Sequence, residues 1–200
     1  MGDLKLSDLM VTSEEDWEPV VLPQKYITLG ENLGIEQERQ SKERRLRDRS
    51  IDPDPERSLL RSIRAKQAEL AVKLWAGDIA RVTLPGEFHD YPDVGQCNVR
   101  FIFDKADGLM IHKKDQDEVP MILTTIKDPT FEDKTIWLIG WGETYLLRRN
   151  FVMINMFRAN PNWGLMGSDH EAHEQFVYPR AMLNRMKTLS KEFVNTPYII

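Results

Sequence analysis

The chain has 200 residues, 41% of them hydrophobic and 30% charged, with a formal net charge of −5. That length buries a core in one domain with an appendage, and the acidic balance excludes coating nucleic acid by bulk electrostatics, though a local basic patch is still allowed. The single Cys97 excludes an intramolecular disulfide and a multi-cysteine zinc site.

Residues 1–52 read as a charged extension, partly disordered or helical. Their first 20 residues are acidic, and Val20-Val21-Leu22-Pro23 is a short extended piece that Pro23 ends. Glu36 to Arg49 alternates Arg and Lys with Glu and has almost no apolar face, so it is expected to be a solvated helix or tail outside the core. Its other use is as a basic arm that docks on nucleic acid or a partner protein.

Asp52-Pro53-Asp54-Pro55 marks the start of a core domain over 53–193. Asp54 suits an N-cap and Pro55 the first helical turn, and Leu60, Ile63, Leu70, Ala71 and Leu74 recur at helical spacing to about Ala76. Gly77 stops that helix. Glu69 lies beside the apolar stripe; either it is a surface residue paired with Lys66 or Lys73, or it faces a site. Ile79 to Leu84 fits a strand or a helix continuation, ended by Pro85-Gly86.

The stretch Tyr91-Pro92-Asp93-Val94-Gly95-Gln96-Cys97-Asn98-Val99-Arg100 is a turn feeding a strand that continues through Phe101-Ile102-Phe103. Asn98 and Arg100 are two apart and share a strand face, with Asp93 five residues upstream. Such polarity on a core strand implies either a wet sheet edge or a site, which His89 and Asp90 would adjoin.

Further strands are expected at Leu109–His112, at 120–126 (apolar enough to be buried on both faces), and at 135–142. Together with the preceding helix they give an α+β fold with a central mixed sheet flanked by helices. Tyr145 to Phe157 fits a helix. His170 and His173 sit three apart among acids, a spacing that could hold a metal but more simply opens a solvated helix. Phe176-Val177-Tyr178 is extended, Arg180 to Phe193 fits an amphipathic helix on Met182, Leu183, Met186 and Leu189, and 194–200 is a tail. Trp137 and Trp141 serve either the core or a homodimer interface. No apolar run spans a bilayer and no basic-then-apolar leader is seen, so no membrane contact and a cytoplasmic location are expected.

The order of these pieces resembles the PD-(D/E)XK nuclease-like superfamily, in particular a group of small phage-encoded proteins. The pieces are Gln67-Ala68-Glu69-Leu70-Ala71-Val72, Pro92-Asp93-Val94-Gly95, Asn98-Val99-Arg100, Leu109-Met110-Ile111, Asp115-Gln116-Asp117, Ile122-Leu123-Thr124, Ile136-Trp137-Leu138-Ile139-Gly140-Trp141 and Phe176-Val177-Tyr178-Pro179-Arg180. The resemblance covers about residues 56–192. It implies a restriction-endonuclease-like core and hydrolysis of DNA phosphodiester bonds in genome processing, with Mg²⁺ or Mn²⁺ as cofactor. In that family a helix Glu, a turn Asp and an acid-x-Lys pair surround the metal. Glu69 matches the first and Asp93 the second. Asn98 stands where the second acid belongs and Arg100 where the Lys belongs, so the implied ligands are Asp93, Glu69 and Asn98. An amide offers a metal one oxygen but no charge, and an arginine stays protonated and cannot act as a base. The same scaffold therefore also suits a non-catalytic nucleic-acid-binding or virion assembly module.

Overall fold

The computed structural model describes Val11 and residues 13–47, 54–87, 91–103, 109–111, 115–149, 152–154, 175–178 and 183–197. His89, Asp90, His170 and His173 lie outside the described residues.

Four strands form a mixed sheet: β1 (Glu18–Val21), β2 (Asn98–Ile102), β4 (Met121–Thr125) and β5 (Thr135–Gly142), in the order β1-β5-β4-β2. β1 and β4 each run antiparallel to β5, whereas β2 runs parallel to β4 with Asn98 opposite Met121 and Ile102 opposite Thr125. A second, three-stranded antiparallel sheet joins β3 (Leu109–Ile111), β7 (Gln175–Tyr178) and β6 (Val152–Ile154), in that order. The fold is thus α+β, with helices α1 (Gln24–Arg47) and α2 (Pro55–Trp75) flanking the four-stranded sheet.

α2 forms where its sequence signals put it. The Asp54 side chain accepts a hydrogen bond from the Arg57 N–H at 3.0 Å, and Gly77 follows the last turn at φ +108°. Ala68, Leu70, Ala71 and Val72 pack against Val20, Val99, Ile122, Ile136 and Leu138 on one face of the sheet. On the other face Met121, Leu123, Ile102 and Ile139 pack with Val11, Trp17 and Leu183. β4 is buried at all five positions, its two threonines included, as its largely apolar sequence predicts.

Several expectations are corrected. Residues 18–43, expected in an extension outside the core, belong to it: β1 is a sheet edge, and α1 packs along α2. The absent apolar stripe is replaced by close approach and buried polarity. A Cβ on Gly34 would lie 2.4 Å from the Ile63 Cα, so only glycine lets the two backbones meet there. One turn on, Glu38 is buried and accepts hydrogen bonds from Ser58 (3.1 Å) and Ser62 (3.3 Å). The expected helix over 180–193 is instead a 3-10 turn at Met186–Thr188 and a short helix, α4 (Lys191–Asn195). Ahead of them Asn184 exchanges backbone hydrogen bonds with Trp141, which holds this stretch extended. Likewise the expected helix at 145–157 is cut to α3 (Thr144–Arg149) before β6, and 79–84 holds only an isolated bridge, Val82 to Val94.

The start of the supposed tail is also fixed. Val194 is buried, and Asn195 donates to the Ala76 carbonyl at 2.6 Å. Trp137 and Trp141 are half-buried: Lys127 lies 3.8 Å over the Trp137 ring, and the Trp141 indole donates to Thr188 at 2.9 Å. Packing within the chain accounts for both.

Candidate active site at the sheet edge

The turn before β2 is tied down on every side. The Thr83 N–H donates to the Asp93 carbonyl at 2.9 Å, and the Thr83 hydroxyl donates to the Pro92 carbonyl. Val94 and Cys97 exchange backbone hydrogen bonds, and Gly95 donates to Arg81 at 2.8 Å. Gly95 sits at φ +53°, and a Cβ there would fall 1.8 Å from the Val194 carbonyl. Both the left-handed backbone and the C-terminal segment therefore demand glycine. The buried Cys97 thiol is pushed up to about 12 by burial and takes no part in the cleft.

This rigid turn aims Asp93 at the head of β2. Its Oδ2 accepts from the Val99 N–H at 2.8 Å and from the Arg100 guanidinium at 3.3 Å. The other guanidinium end donates to Asp115 at 2.6 Å. Burial works against the Arg100 charge, but Asp93 and Asp115 more than offset it, and its pKa lies above the ordinary value. Arg100 is thus a fixed cation.

Glu69 faces inward from α2 and is 5% exposed. Lys66, one turn earlier and also buried, donates to both carboxylate oxygens, at 3.0 and 2.7 Å, and to the Thr83 carbonyl at 3.2 Å. The partner foreseen from the sequence is correct, but the pair is buried rather than on the surface. Burial pushes the Glu69 carboxyl up to about 8; Lys66 pulls against this and the neighbouring Asp93 charge adds to it.

Glu69, Asp93, Asn98 and Arg100 line one cleft of about 540 Å³ beside β2, together with Gln37, Arg61, Ser62, Tyr91 and Asp115. β2 is an edge strand of its sheet, and the acid, amide and guanidinium at its head line one open cleft. The sequence did not place Asp115, Lys66 or Gln37 among the site residues. The acidic turn 115–117 signalled the first of these, and the three-residue spacing to Glu69 the second. Nothing local marked Gln37, which reaches the cleft only because α1 packs on α2.

Among the described residues no group of three His, Cys, Asp or Glu side chains is placed to hold a metal. Asp93 Oδ1 and the Asn98 amide oxygen, both at the cleft, have no hydrogen-bond partner among the described residues. Mg²⁺ keeps several waters and needs only one or two carboxylates, so this donor set fits a weakly held Mg²⁺ or Mn²⁺. Glu69 can join it only by giving up Lys66. No family model, no curated protein and no solved structure matches the chain.

Proposed function

We propose that the chain is a metal-dependent nuclease of the PD-(D/E)XK kind with a restriction-endonuclease-like core, hydrolysing DNA phosphodiester bonds in phage genome processing. The observation that carries this is the meeting of Glu69 from α2 with Asp93, Asn98 and Arg100 from the head of β2 in one cleft. These are the four positions that the motif order picks out. Asp93 and Asn98 would hold Mg²⁺ or Mn²⁺, with Glu69 as a further ligand. Such an ion supplies Lewis acidity to the scissile phosphate and to an attacking water. Arg100, held by Asp93 and Asp115, offers a permanent positive charge to a phosphate oxygen and stabilises charge developing there. It cannot take a proton from water, so no residue of β2 serves as general base.

The test is cleavage of single-stranded, duplex and branched DNA by the full chain with Mg²⁺ and with Mn²⁺. Cleavage that Asp93→Ala reduces by on the order of 10²-fold or more supports the proposal. DNA left intact under every one of these conditions removes it. One observation favours a second function, a non-catalytic nucleic-acid-binding module: the chain's own cations already neutralise the cleft acids, Lys66 at Glu69 and Arg100 at Asp93 and Asp115. That protein would bind DNA as well in EDTA as in Mg²⁺ and never cut it.

A further inference from the structure

One side of the cleft is built by α1 and α2, and apart from Glu69 the metal chemistry does not use it. Gln37 and Arg61 project from it. Gln37 Oε1 is buried and has no hydrogen-bond partner among the described residues. A buried acceptor left unpaired costs about 1–3 kcal/mol, which a donor from a ligand or an ordered water recovers. Arg61 is exposed and makes no hydrogen bond or ion pair among the described residues. It contrasts with Arg100, whose two terminal nitrogens are already engaged by Asp93 and Asp115. Tyr91 lines the same cleft, with Arg81 4.8 Å over its ring.

Each unmet valence asks for a different group. Arg61 needs an anion, and a planar guanidinium pairs well with a phosphate. Gln37 Oε1 needs a donor, such as an exocyclic amine or ring N–H on a base edge. Tyr91 offers a π-face on which a base can stack. A cavity of this size lies in the range that holds one small organic ligand, about 300–1,000 Å³, and a single nucleotide unit combines all three groups.

We propose that this side of the cleft is a nucleotide subsite: Arg61 binds the phosphate next to the scissile one, and Gln37 accepts a hydrogen bond from the base stacked on Tyr91. The proposal rests on DNA being the substrate, and it makes α1 part of the substrate-binding surface. Gly34 is then functional as well as structural, because the close helix approach is what carries Gln37 to the cleft.

Anisotropy of a fluorescein-labelled oligonucleotide, single-stranded and duplex, tests this on the full chain in EDTA and again in Ca²⁺. Arg61→Ala is expected to weaken binding several-fold for every sequence and to lower the slope of log affinity against log salt by about one. Gln37→Ala is expected to weaken it about threefold or more, with the size of the loss depending on the base. Arg61→Lys should restore part of the affinity, and unchanged thermal unfolding midpoints separate these losses from misfolding. Wild-type protein that binds or cuts DNA, with both alanine variants equally tight, overturns the subsite and leaves the nuclease proposal standing. Binding lost in Arg61→Ala without cleavage by any variant supports the subsite and removes hydrolysis. A wild type that binds neither oligonucleotide overturns both.

Discussion

β4 and β2 are neighbours in one sheet and are built on opposite terms. Every β4 residue is buried, and its two hydroxyls are satisfied by β2 carbonyls: Thr124 donates to Arg100 at 3.0 Å and Thr125 to Ile102 at 2.9 Å. One strand away, at the sheet edge, polar capacity is left over. Arg100 Nε is buried without a partner among the described residues, and Asp93 Oδ1 and the Asn98 amide make no hydrogen bond to them and face the cleft. The contrast separates a strand whose polar groups are spent on packing from one whose polar groups are open to a ligand. Substitutions in the centre should therefore cost stability, and substitutions at the edge should cost function.

The largest loss of stability is expected where the two regimes meet, at the buried Lys66–Glu69 pair. Above about pH 8, where Glu69 is ionised, Lys66→Met strands a buried carboxylate and should cost about 3–5 kcal/mol in denaturant unfolding; a loss below about 1 kcal/mol there would mean that the pair is solvated. Leu123→Ala, in the centre, should cost about 2–5 kcal/mol without changing the salt dependence of DNA binding.

Glu69 itself gives a pH signature. Its carboxyl is raised from the ordinary 4.5 to about 8 by burial, so between those values the folded chain keeps a proton that the unfolded chain has released. Its contribution to stability is full below about 4.5 and is lost as pH rises through about 8. Glu69→Gln should flatten that decline, read as unfolding free energy against pH. Metal-supported cleavage should run the other way, rising toward pH 8 as the carboxylate ionises, and a pH-independent rate would remove Glu69 from the ligand set. The smallest structural change is Asn98→Asp. Isosteric at a half-exposed position, it should alter stability by less than about 0.5 kcal/mol. It adds a charge beside Asp93, however, and should tighten Mg²⁺ about tenfold, equivalent to about 1.4 kcal/mol. Weaker metal binding in that variant would show that Asn98 is not at the metal position.

The parts of this protein legible in its sequence are those where one local rule dominates. α2 announces itself by Asp54, Pro55 and Gly77, and β4 by a largely apolar run. α1 was missed as a core element because its packing rests on Gly34 meeting Ile63 and on a buried Glu38 shared by two serines, neither of which leaves an apolar stripe. The C-terminal segment failed in the opposite way. Leu183, Met186 and Leu189 have helical spacing, but each is buried through a bridge or a 3-10 turn instead. Glu69, Asp93, Asn98 and Arg100 were picked out together by the resemblance in motif order, and the fold brings the four to one cleft. Gln37 was not, since it reaches the cleft through a tertiary packing that no local pattern encodes.

The most direct test of the β2 edge as a metal-dependent active site is the anomalous difference map of a crystal soaked in Mn²⁺. The account predicts a peak in the cleft in contact with Asp93 and Asn98, absent from the Asp93→Ala protein. A cleft without a peak, with the Asp93–Arg100 and Lys66–Glu69 pairs intact, would contradict it.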